Sequence, residues 1–218
     1  MSTSPKPLKP NKHRIHLWDG RELHYHPPFK KAESLNLNDL LPADRSPTLE
    51  VEIGPGKGEF LSRRAQAYSD RFFVGIDRRL DRIDLTQKKL QRMVGGKNWL
   101  LIQEDARGFL EAGLPPIQVL HVYHPDPWPK AKHNKHRFFR SPDARRWVDA
   151  IVPGGELRLS TDHREYFEEI VDIVATWGVV RPNLVYKKTA PMGEAVTHFE
   201  GIFLRKNEPV YKAYYTKL

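Results

Sequence analysis

A run of fourteen residues, HPDPWPKAKHNKHR, joins a carboxylate, a tryptophan and a basic cluster between His124 and Arg137. Its three prolines are incompatible with a helix interior or a central strand, so the run predicts a rigid loop. Prolines on both sides of Asp126 restrict the backbone of that residue and hold its carboxylate in one place. Trp128 offers a flat surface for stacking a base, and the basic side chains after it suit phosphate groups. The alternative is a structural loop whose tryptophan fills a gap in the core and whose lysines only face water.

A glycine-rich turn, EIGPGKG, follows the apolar segment TLEVEI. Gly54, Gly56 and Gly58 would let the backbone approach a ligand without interference from a side chain. A dinucleotide-binding fold favours G-x-G-x-x-G, whereas the spacing here is G-x-G-x-G, which is typical of S-adenosylmethionine sites. A nicotinamide cofactor is the alternative, and such a turn on its own is often only a turn.

Three acidic residues lie at the ends of apolar segments. Asp77 ends RFFVGID, where a carboxylate accepts hydrogen bonds from ribose hydroxyls, and Asp105 follows NWLLIQ, where it suits an adenine edge. Glu52 lies just before the glycine turn and suits the amino or sulfonium group of the cofactor. Asp77 could instead be a surface acid, and Asp105 could cap a helix over residues 106–112. Together with the glycine turn, these acids predict a nucleoside cofactor, S-adenosyl-L-methionine. No metal site is predicted, because the histidines do not pair with carboxylates at ligand spacing.

Alternating strands and helices would bring these residues together. Strands are predicted at 48–53, 71–77, 98–103, 117–123, 155–160 and 209–217. Helices are predicted at 58–68, 80–93, 142–151 and 162–177. Asp162 and Glu165 have the spacing of a capping box at the start of the last helix. The alternation predicts an α/β fold with a doubly wound, mostly parallel sheet and helices on both faces, in which ligands bind beyond the carboxyl ends of the strands.

Length and composition indicate one globular domain. The chain has 218 residues, of which 39% are hydrophobic and 29% are charged. It has no cysteine, which excludes disulfides, thiolate metal sites and a cysteine nucleophile. No apolar run has membrane-spanning length, and the start of the sequence lacks the apolar core of a secretory signal. We therefore expect a cytoplasmic protein with a basic, Pro/His-rich arm over residues 1–32, flexible at its start, and a single domain over residues 33–218.

The charge indicates a polyanionic partner. The formal net charge is +9, and the excess lies in two blocks. Residues 1–31 hold seven Lys or Arg against two acids, and residues 128–147 hold seven against one. Such clustering is typical of nucleic-acid binding, although many proteins are basic for solubility alone.

Taken together, the motifs EIGPGKGEF, GIDRR, PDPWPKAKHNKHR, STDHREYFEEI and THFE resemble those of the bacterial tRNA (guanine-N7-)-methyltransferases, which have the Rossmann-like class I methyltransferase fold. The resemblance covers roughly residues 48–218. It implies methyl transfer from S-adenosyl-L-methionine to guanine N7 in the variable loop of tRNA, at position 46. The sequence departs from the family pattern at His124, where an aromatic residue such as Phe is expected, and at His198, where Lys is usual. It also lacks the E-R-R-G continuation of some members after Glu200.

The resemblance also implies roles for individual residues. The cofactor would be bound by Glu52, Asp77, Asp105 and Asp126, and our own hypothesis for such a reaction is that Asp126 is the catalytic carboxylate. The substrate would be bound by Lys130, Asp162, Thr197, His198, Phe199 and Glu200. The tRNA would be contacted by Trp128, Lys132, His133, Asn134, Lys135, His136 and Arg137. Two sites within the substrate set have structural alternatives, because Asp162 and the pair Thr197 and Glu200 have the spacing of helix caps.

Other functions stay open at this point. One is methylation of an exocyclic amine on adenine or cytosine, for which related enzymes use an Asp/Asn-Pro-Pro-aromatic loop at the same place. Another is an RNA-binding module that has kept this fold without catalysis, and a nicotinamide oxidoreductase comes third. The expected partner is tRNA, with no membrane and no metal, and the chain could be a monomer or a homodimer.

Overall fold

A computed structural model describes residues 13–17, 19–25, 48–94, 98–109, 116–186 and 197–218. The strands in these ranges are β1 (His13–Leu17), β2 (Glu22–Tyr25), β3 (Thr48–Ile53), β4 (Arg71–Ile76), β5 (Trp99–Ile102), β6 (Ile117–Tyr123), β7 (Ile151–Thr161), β8 (Val180–Tyr186) and β9 (Tyr211–Lys217). The α-helices are α1 (Glu59–Ala67), α2 (Leu80–Met93), α3 (Ala106–Phe109), α4 (Pro142–Asp149), α5 (Arg164–Thr176) and α6 (His198–Arg205). Two 3₁₀ segments, Ala131–His136 and Phe138–Arg140, lie between β6 and α4. None of the helices described here has the length and apolar character needed to cross a membrane.

The strands form one sheet in the order β2-β1-β5-β4-β3-β6-β7-β9-β8. The five central strands, from β5 to β7, are parallel to one another. β9 is antiparallel to β7 and to β8, and the β1–β2 hairpin adds antiparallel strands beyond β5. Parallel neighbours require crossover connections, which α1, α2, α4 and other segments supply. The predicted α/β fold with a doubly wound, mostly parallel sheet is confirmed.

Alternate residues of the central strands pack against different layers of helices. Phe73 on β4 belongs to a cluster with Ile83 and Leu90 of α2, and all three side chains are fully buried. Its neighbour Val74 belongs to a second cluster that includes Trp147 of α4, also fully buried. This alternation follows from the two-residue period of a strand. Burial on both faces makes the central sheet a fixed base for the loops at its carboxyl edge.

The β1–β2 hairpin lies within the predicted N-terminal arm. Residues of β1 pair with β5, with Ile15 opposite Ile102, and the side chains of Ile15 and Leu17 are completely buried. The sequence did not predict these strands, because the Lys, His and Pro residues around them hide a short apolar alternation. The predicted flexible start of the arm lies outside the described residues. The division into residues 1–32 and 33–218 stays a prediction.

The predicted capping box at the start of α5 is wrong. The helix begins at Arg164, and its N-cap is His163, whose Nδ1 accepts a hydrogen bond from the Tyr166 backbone N at 3.2 Å. Asp162 does not cap the helix because its Oδ1 lies 3.1 Å from Nδ1 of His124. A tertiary contact therefore takes the carboxylate that the local spacing assigned to the helix.

Candidate active site

A cleft of about 540 Å³ lies at the carboxyl ends of the parallel strands. That volume is ordinary for the binding site of a small molecule. Predicted site residues that line it are Gly54, Gly56, Asp77, Asp105, Asp126, Trp128, Lys135, His136, Arg137 and Phe199. A smaller cavity of about 60 Å³ shares Gly54, Gly56 and Phe199 with the cleft and adds Glu52, Thr197 and His198. Gly58, Lys130, Lys132, His133, Asn134, Asp162 and Glu200 line neither space.

The glycine turn between β3 and α1 serves two purposes. Gly54, Gly56 and Gly58 all have positive φ angles, of 74°, 58° and 70°, which side-chain-bearing residues rarely adopt. A Cβ on Gly54 would meet no atom within 4 Å, so this glycine borders open space. A Cβ on Gly58 would lie 2.6 Å from Cγ2 of Thr86, so this glycine lets α1 approach α2. Gly58 therefore has a packing role and lines neither space, and its predicted contact with the cofactor stays a prediction.

Glu52 is a buried carboxylate with no partner for one of its oxygens. Its side chain is 3% exposed, and Oε2 has no hydrogen bond among the described residues. Burial, with a smaller contribution from the charge of Asp77, raises the pKa of Glu52 to about 8. A cation in the adjoining space would stabilise the ionised form. The amino and sulfonium groups of S-adenosylmethionine are such cations, so the residues at this end of the cleft fit that cofactor.

Asp77 and Asp105 lie at the ends of neighbouring strands. Oδ1 of Asp77 accepts a hydrogen bond from the Arg79 backbone N at 2.9 Å, and burial raises the pKa of this carboxyl. Asp105 is held by Arg107, with Nε–Oδ1 and Nη2–Oδ2 distances of 2.9 and 2.7 Å, and this hydrogen bonding lowers the pKa of Asp105. Asp105 also accepts from the Arg107 backbone N at 3.0 Å, so it caps α3 while it lines the cleft.

Two side chains of the basic run hold the proline-rich loop together. Nε of Arg137 donates to the carbonyl oxygen of Pro127 at 2.7 Å, and its guanidinium also pairs with Glu169 on α5. With its amide turned to donate, Asn134 bonds the carbonyl oxygens of Trp128 at 2.8 Å and Lys130 at 3.2 Å. Prolines lack N–H donors, and these side chains supply donors to the carbonyls of Pro127 and Trp128, whereas the Lys130 carbonyl also accepts from the His133 backbone N at 2.7 Å.

Arg137 is therefore not available to tRNA in this conformation. Its side chain is 1% exposed, and the guanidinium lies 4.9 Å from the ring centroid of Tyr166. The predicted tRNA contact by Arg137 is corrected to an anchor between the loop and α5, because its charge is already used by Glu169.

The remaining residues of the loop face the cleft or the surface. Trp128 has a φ of 43°, and its ring lies 5.2 Å from that of His136 and 5.8 Å from that of His133. Lys130, Lys132 and Lys135 are exposed and form no ion pair among the described residues. Their ammonium groups are therefore free to meet phosphates.

The start of α6 combines a helix cap with part of the cleft. Oγ1 of Thr197 accepts a hydrogen bond from the Glu200 backbone N at 3.1 Å, so the capping alternative is confirmed for Thr197. The Glu200 side chain is 3% exposed and pairs with Lys212 on β9, so it faces inward. Phe199 is 45% exposed and lines the cleft. Burial, followed by the charge of Lys57, lowers the pKa of His198.

Arg78, Arg79 and Arg82 form a basic rim that was not predicted from the sequence. All three line the cleft, and Arg79 interacts electrostatically with both Asp77 and Asp126. The signal was present in GIDRR, where two arginines directly follow the predicted ribose-binding acid.

A buried ionic cluster lies beneath the site and was also missed. Glu50, two residues before Glu52 on β3, is completely buried and accepts hydrogen bonds from Arg64 at 3.1 Å and Arg71 at 2.6 Å. Nε2 of His121 lies 2.9 Å from the same carboxylate. Burial raises the pKa of Glu50, but the contacts with His121 and Arg64 outweigh it and hold the pKa well below its usual range. Within the described ranges, no group of three or more potential ligands could hold a metal ion.

Comparison with known proteins first defines the class. The chain is similar in structure to the 16S rRNA methyltransferase KamB, with a TM-score of 0.62, 17% identity and coverage of 94% of this chain and 99% of that one. It is also similar to the aminoglycoside resistance methyltransferase NpmB1, with a TM-score of 0.59, 16% identity and coverage of 94% and 100%. At these identities the likeness shows the fold. Residues 46–213 match the family model described as "Putative methyltransferase", so the chain belongs to a methyltransferase family.

Similarity to curated relatives identifies the particular family. The tRNA (guanine-N(7)-)-methyltransferase of Alkalilimnicola ehrlichii is 30% identical over 176 residues, which cover 79% of this chain and 73% of the relative. The protein of the same name from Levilactobacillus brevis is 31% identical over 170 residues, which cover 75% and 77%. The chain belongs to the tRNA (guanine-N(7)-)-methyltransferase family.

Proposed function

We propose that this chain transfers a methyl group from S-adenosyl-L-methionine to N7 of guanine in tRNA, at position 46 of the variable loop as the resemblance implies. The observation that carries the proposal is that the cleft is bordered by the strand-end acids and the Asp126–Trp128 loop, while the adjoining smaller cavity is bordered by Glu52, one oxygen of which has no partner among the described residues. A cofactor subsite and a base-stacking surface therefore lie in two spaces that share part of their lining. A tRNA substrate would place the activity in the cytoplasm.

The cofactor supplies an electrophilic methyl group on a positively charged sulfur. Glu52 would pair with a cationic group of this molecule, since its Oε2 is buried and without a partner among the described residues. Asp77 would accept hydrogen bonds from ribose hydroxyls, and Asp105, oriented by Arg107, would face the adenine edge. Gly54 leaves the space that a side chain would otherwise fill.

Guanine N7 is an in-plane lone-pair acceptor with no proton to lose. Methyl transfer to it needs no general base, so the protein contributes by positioning and by electrostatic stabilisation. Asp126, held between two prolines, would stabilise the positive charge that develops on the purine. Trp128 would pack against the base, and Asp162 would hold the base by accepting hydrogen bonds.

The remaining predicted substrate contacts surround this position. Lys130 projects from the same loop as Asp126, and Phe199 is exposed in the cleft. Thr197, His198 and Glu200 would contribute through the first turn of α6. Because Thr197 caps that helix and Glu200 pairs with Lys212, we propose that these two hold the turn in place.

The phosphate backbone of tRNA would cross a surface that is basic on both sides of the cleft. Lys130, Lys132 and Lys135 lie on one side, with His133 and His136 beside Trp128. Arg78 and Arg79 lie on the other side and are exposed. Such contacts position an RNA without reading its sequence.

The direct test is transfer of a labelled methyl group to tRNA, followed by digestion and identification of the nucleoside. Wild-type protein is expected to yield 7-methylguanosine. Asp126→Asn should lower the rate about 100-fold or more while the protein stays folded. Asp70→Asn, at an exposed turn, is the matched control and should keep the wild-type rate. Methylation of an exocyclic amine, or a normal rate in Asp126→Asn, would refute the proposal.

The RNA surface is tested separately by binding measured at several salt concentrations. Replacing Lys130, Lys132 and Lys135 together with alanine should reduce the slope of log K against log salt by about 2 to 3. A control with the same loss of charge replaces Lys88, Arg92 and Arg181, which are exposed and outside the cleft. Equal slopes for the two triple variants would contradict the proposed surface.

A further inference from the structure

His124 has a backbone conformation that its surroundings must enforce. It follows β6 directly and has a φ of 48°, in the left-handed region. Its backbone N donates to the carbonyl oxygen of Ser160 at 2.7 Å, and its side chain is 5% exposed. Residues held in this region cost energy and cluster at functional sites. His124 also borders both the cleft and the smaller cavity.

The imidazole of His124 holds the carboxylate of Asp162. The distance between Nδ1 and Oδ1 is 3.1 Å, and this hydrogen bond lowers the pKa of Asp162, so the carboxyl is ionised near neutral pH. An ionised carboxylate only accepts hydrogen bonds, so Nδ1 carries the proton. Oδ1 is engaged by His124, and Oδ2 has no side-chain partner among the described residues.

The same ring packs against α6. Its centroid lies 5.7 Å from that of Phe199, and 5.7 Å from that of Phe203 with an interplanar angle of 24°. His124 therefore contacts three elements of the proposed substrate site: its own proline-rich loop, the end of β7 at Asp162, and α6. A phenylalanine, the type of residue expected here from the family resemblance, would keep the ring contacts and lose the contact with Asp162.

We propose that His124 is a positioning residue that orients Asp162 toward the substrate base. Its ring sets the distance between the loop and α6, and its Nδ1–H fixes one oxygen of the carboxylate, which leaves the other oxygen for the base. The inference rests on the proposed function, because it assigns a substrate contact to Asp162. It explains why a residue with both a ring and a hydrogen-bond donor occupies this position.

The kinetic test compares His124→Phe and Asp162→Ala with the double variant. His124→Phe is expected to lower kcat/KM for tRNA about tenfold, mainly by raising KM, because one hydrogen bond to a charged group is lost. The affinity for S-adenosylmethionine should stay within twofold. In the Asp162→Ala background, His124→Phe should change kcat/KM by less than twofold. A tenfold loss in both backgrounds would show that the effect of His124→Phe does not depend on Asp162 and would overturn the proposal.

His124→Asn supplies a rescue and a safeguard against misfolding. Asparagine tolerates the left-handed backbone and has an amide donor, but it lacks the ring. Its KM for tRNA should lie between that of His124→Phe and that of wild type. No recovery in a variant that melts within a few degrees of wild type would count against the role of the donor.

A measurement without substrate separates this inference from the proposed function. In ¹⁵N-histidine-labelled protein near neutral pH, the His124 side chain should carry a proton on Nδ1, and this signal should shift in Asp162→Ala. A bare Nδ1 in the wild type would overturn the inference even if the enzyme methylates tRNA. Absence of methyl transfer by wild-type protein with a protonated, Asp162-dependent Nδ1 would instead refute the proposed function.

Discussion

Glu52 allows the sharpest test of the cofactor site, because its burial determines both its protonation state and its effect on the stability of the fold. Its pKa is about 8 in the folded protein against an ordinary value of 4.5. Between these values the folded state keeps a proton that the unfolded chain releases, so stability falls as the pH rises through this window. At about 1.4 kcal/mol per pKa unit, about 3 kcal/mol of this loss accumulates between about pH 5 and pH 7. Glu52→Gln has the same shape and no such loss.

Thermal unfolding without ligand measures the difference. The melting temperature of Glu52→Gln minus that of wild type should be about 6–12 °C larger at pH 7 than at pH 5. Glu208→Gln, an exposed glutamate, is the matched control and should show no pH-dependent difference. The same difference from wild type at both pH values would refute the assignment of a raised pKa to Glu52.

The stabilised variant should bind the cofactor less well. Wild-type affinity for S-adenosylmethionine should increase between about pH 6 and pH 8, because ionised Glu52 pairs with the cation. At pH 8 the Glu52→Gln variant should bind about tenfold or more weakly, and its affinity should not depend on the ionisation of this side chain. Equal affinity in both proteins would remove Glu52 from the cofactor site. Higher stability together with weaker binding is typical of a residue kept for function.

Two further predictions concern the base of the site. Glu50→Gln should lower the free energy of unfolding by about 3–5 kcal/mol in urea titrations, because it leaves the 4% exposed guanidinium of Arg64 without a charged partner; a loss below about 1 kcal/mol would contradict this. Gly58→Ala should lower it by about 2 kcal/mol or more, because the new Cβ would lie 2.6 Å from Cγ2 of Thr86 in a left-handed backbone. Gly178→Ala is the control, because Gly178 also has a left-handed φ but a Cβ there would meet no atom within 4 Å. An equal loss of stability in this variant would show that the contact with Thr86 is not the cause.

The five central strands and β9 could be predicted from the sequence, whereas β1, β2 and β8 could not. Parallel strands buried on both faces appear as continuous apolar runs, as in RFFVGI and WLLI. β8 contains Pro182 and Asn183, which suit a position at the edge of a sheet and hide its strand character. β2 lies at the opposite edge of the sheet, and its own sequence, ELHY, is equally polar. Among the described strands, the apolar signal is weak in the two that lie at the edges of the sheet, β2 and β8.

Positions at strand ends could be predicted for the same reason, because the order of strands places Asp77 and Asp105 at one edge of the sheet. Contacts between distant segments could not. The pairing of His124 with Asp162 joins residues 38 positions apart, and that of Arg137 with Glu169 joins residues 32 positions apart. Each of these contacts takes a side chain that was assigned elsewhere from the sequence, Asp162 to a helix cap by its spacing and Arg137 to the RNA by its place in the basic cluster.

The side chains of the basic run after Trp128 have two different functions, which depend on whether they are buried or exposed. Asn134 is half-buried and Arg137 is buried, and both donate hydrogen bonds to carbonyls of the loop. Lys130, Lys132 and Lys135 face water, where a charged group costs little to expose and is available to phosphates. Loss of lysine charge should therefore weaken tRNA binding and leave the loop ordered. The positive charge of the run and the rigidity of Asp126 depend on different side chains, although both are encoded within the same fourteen residues.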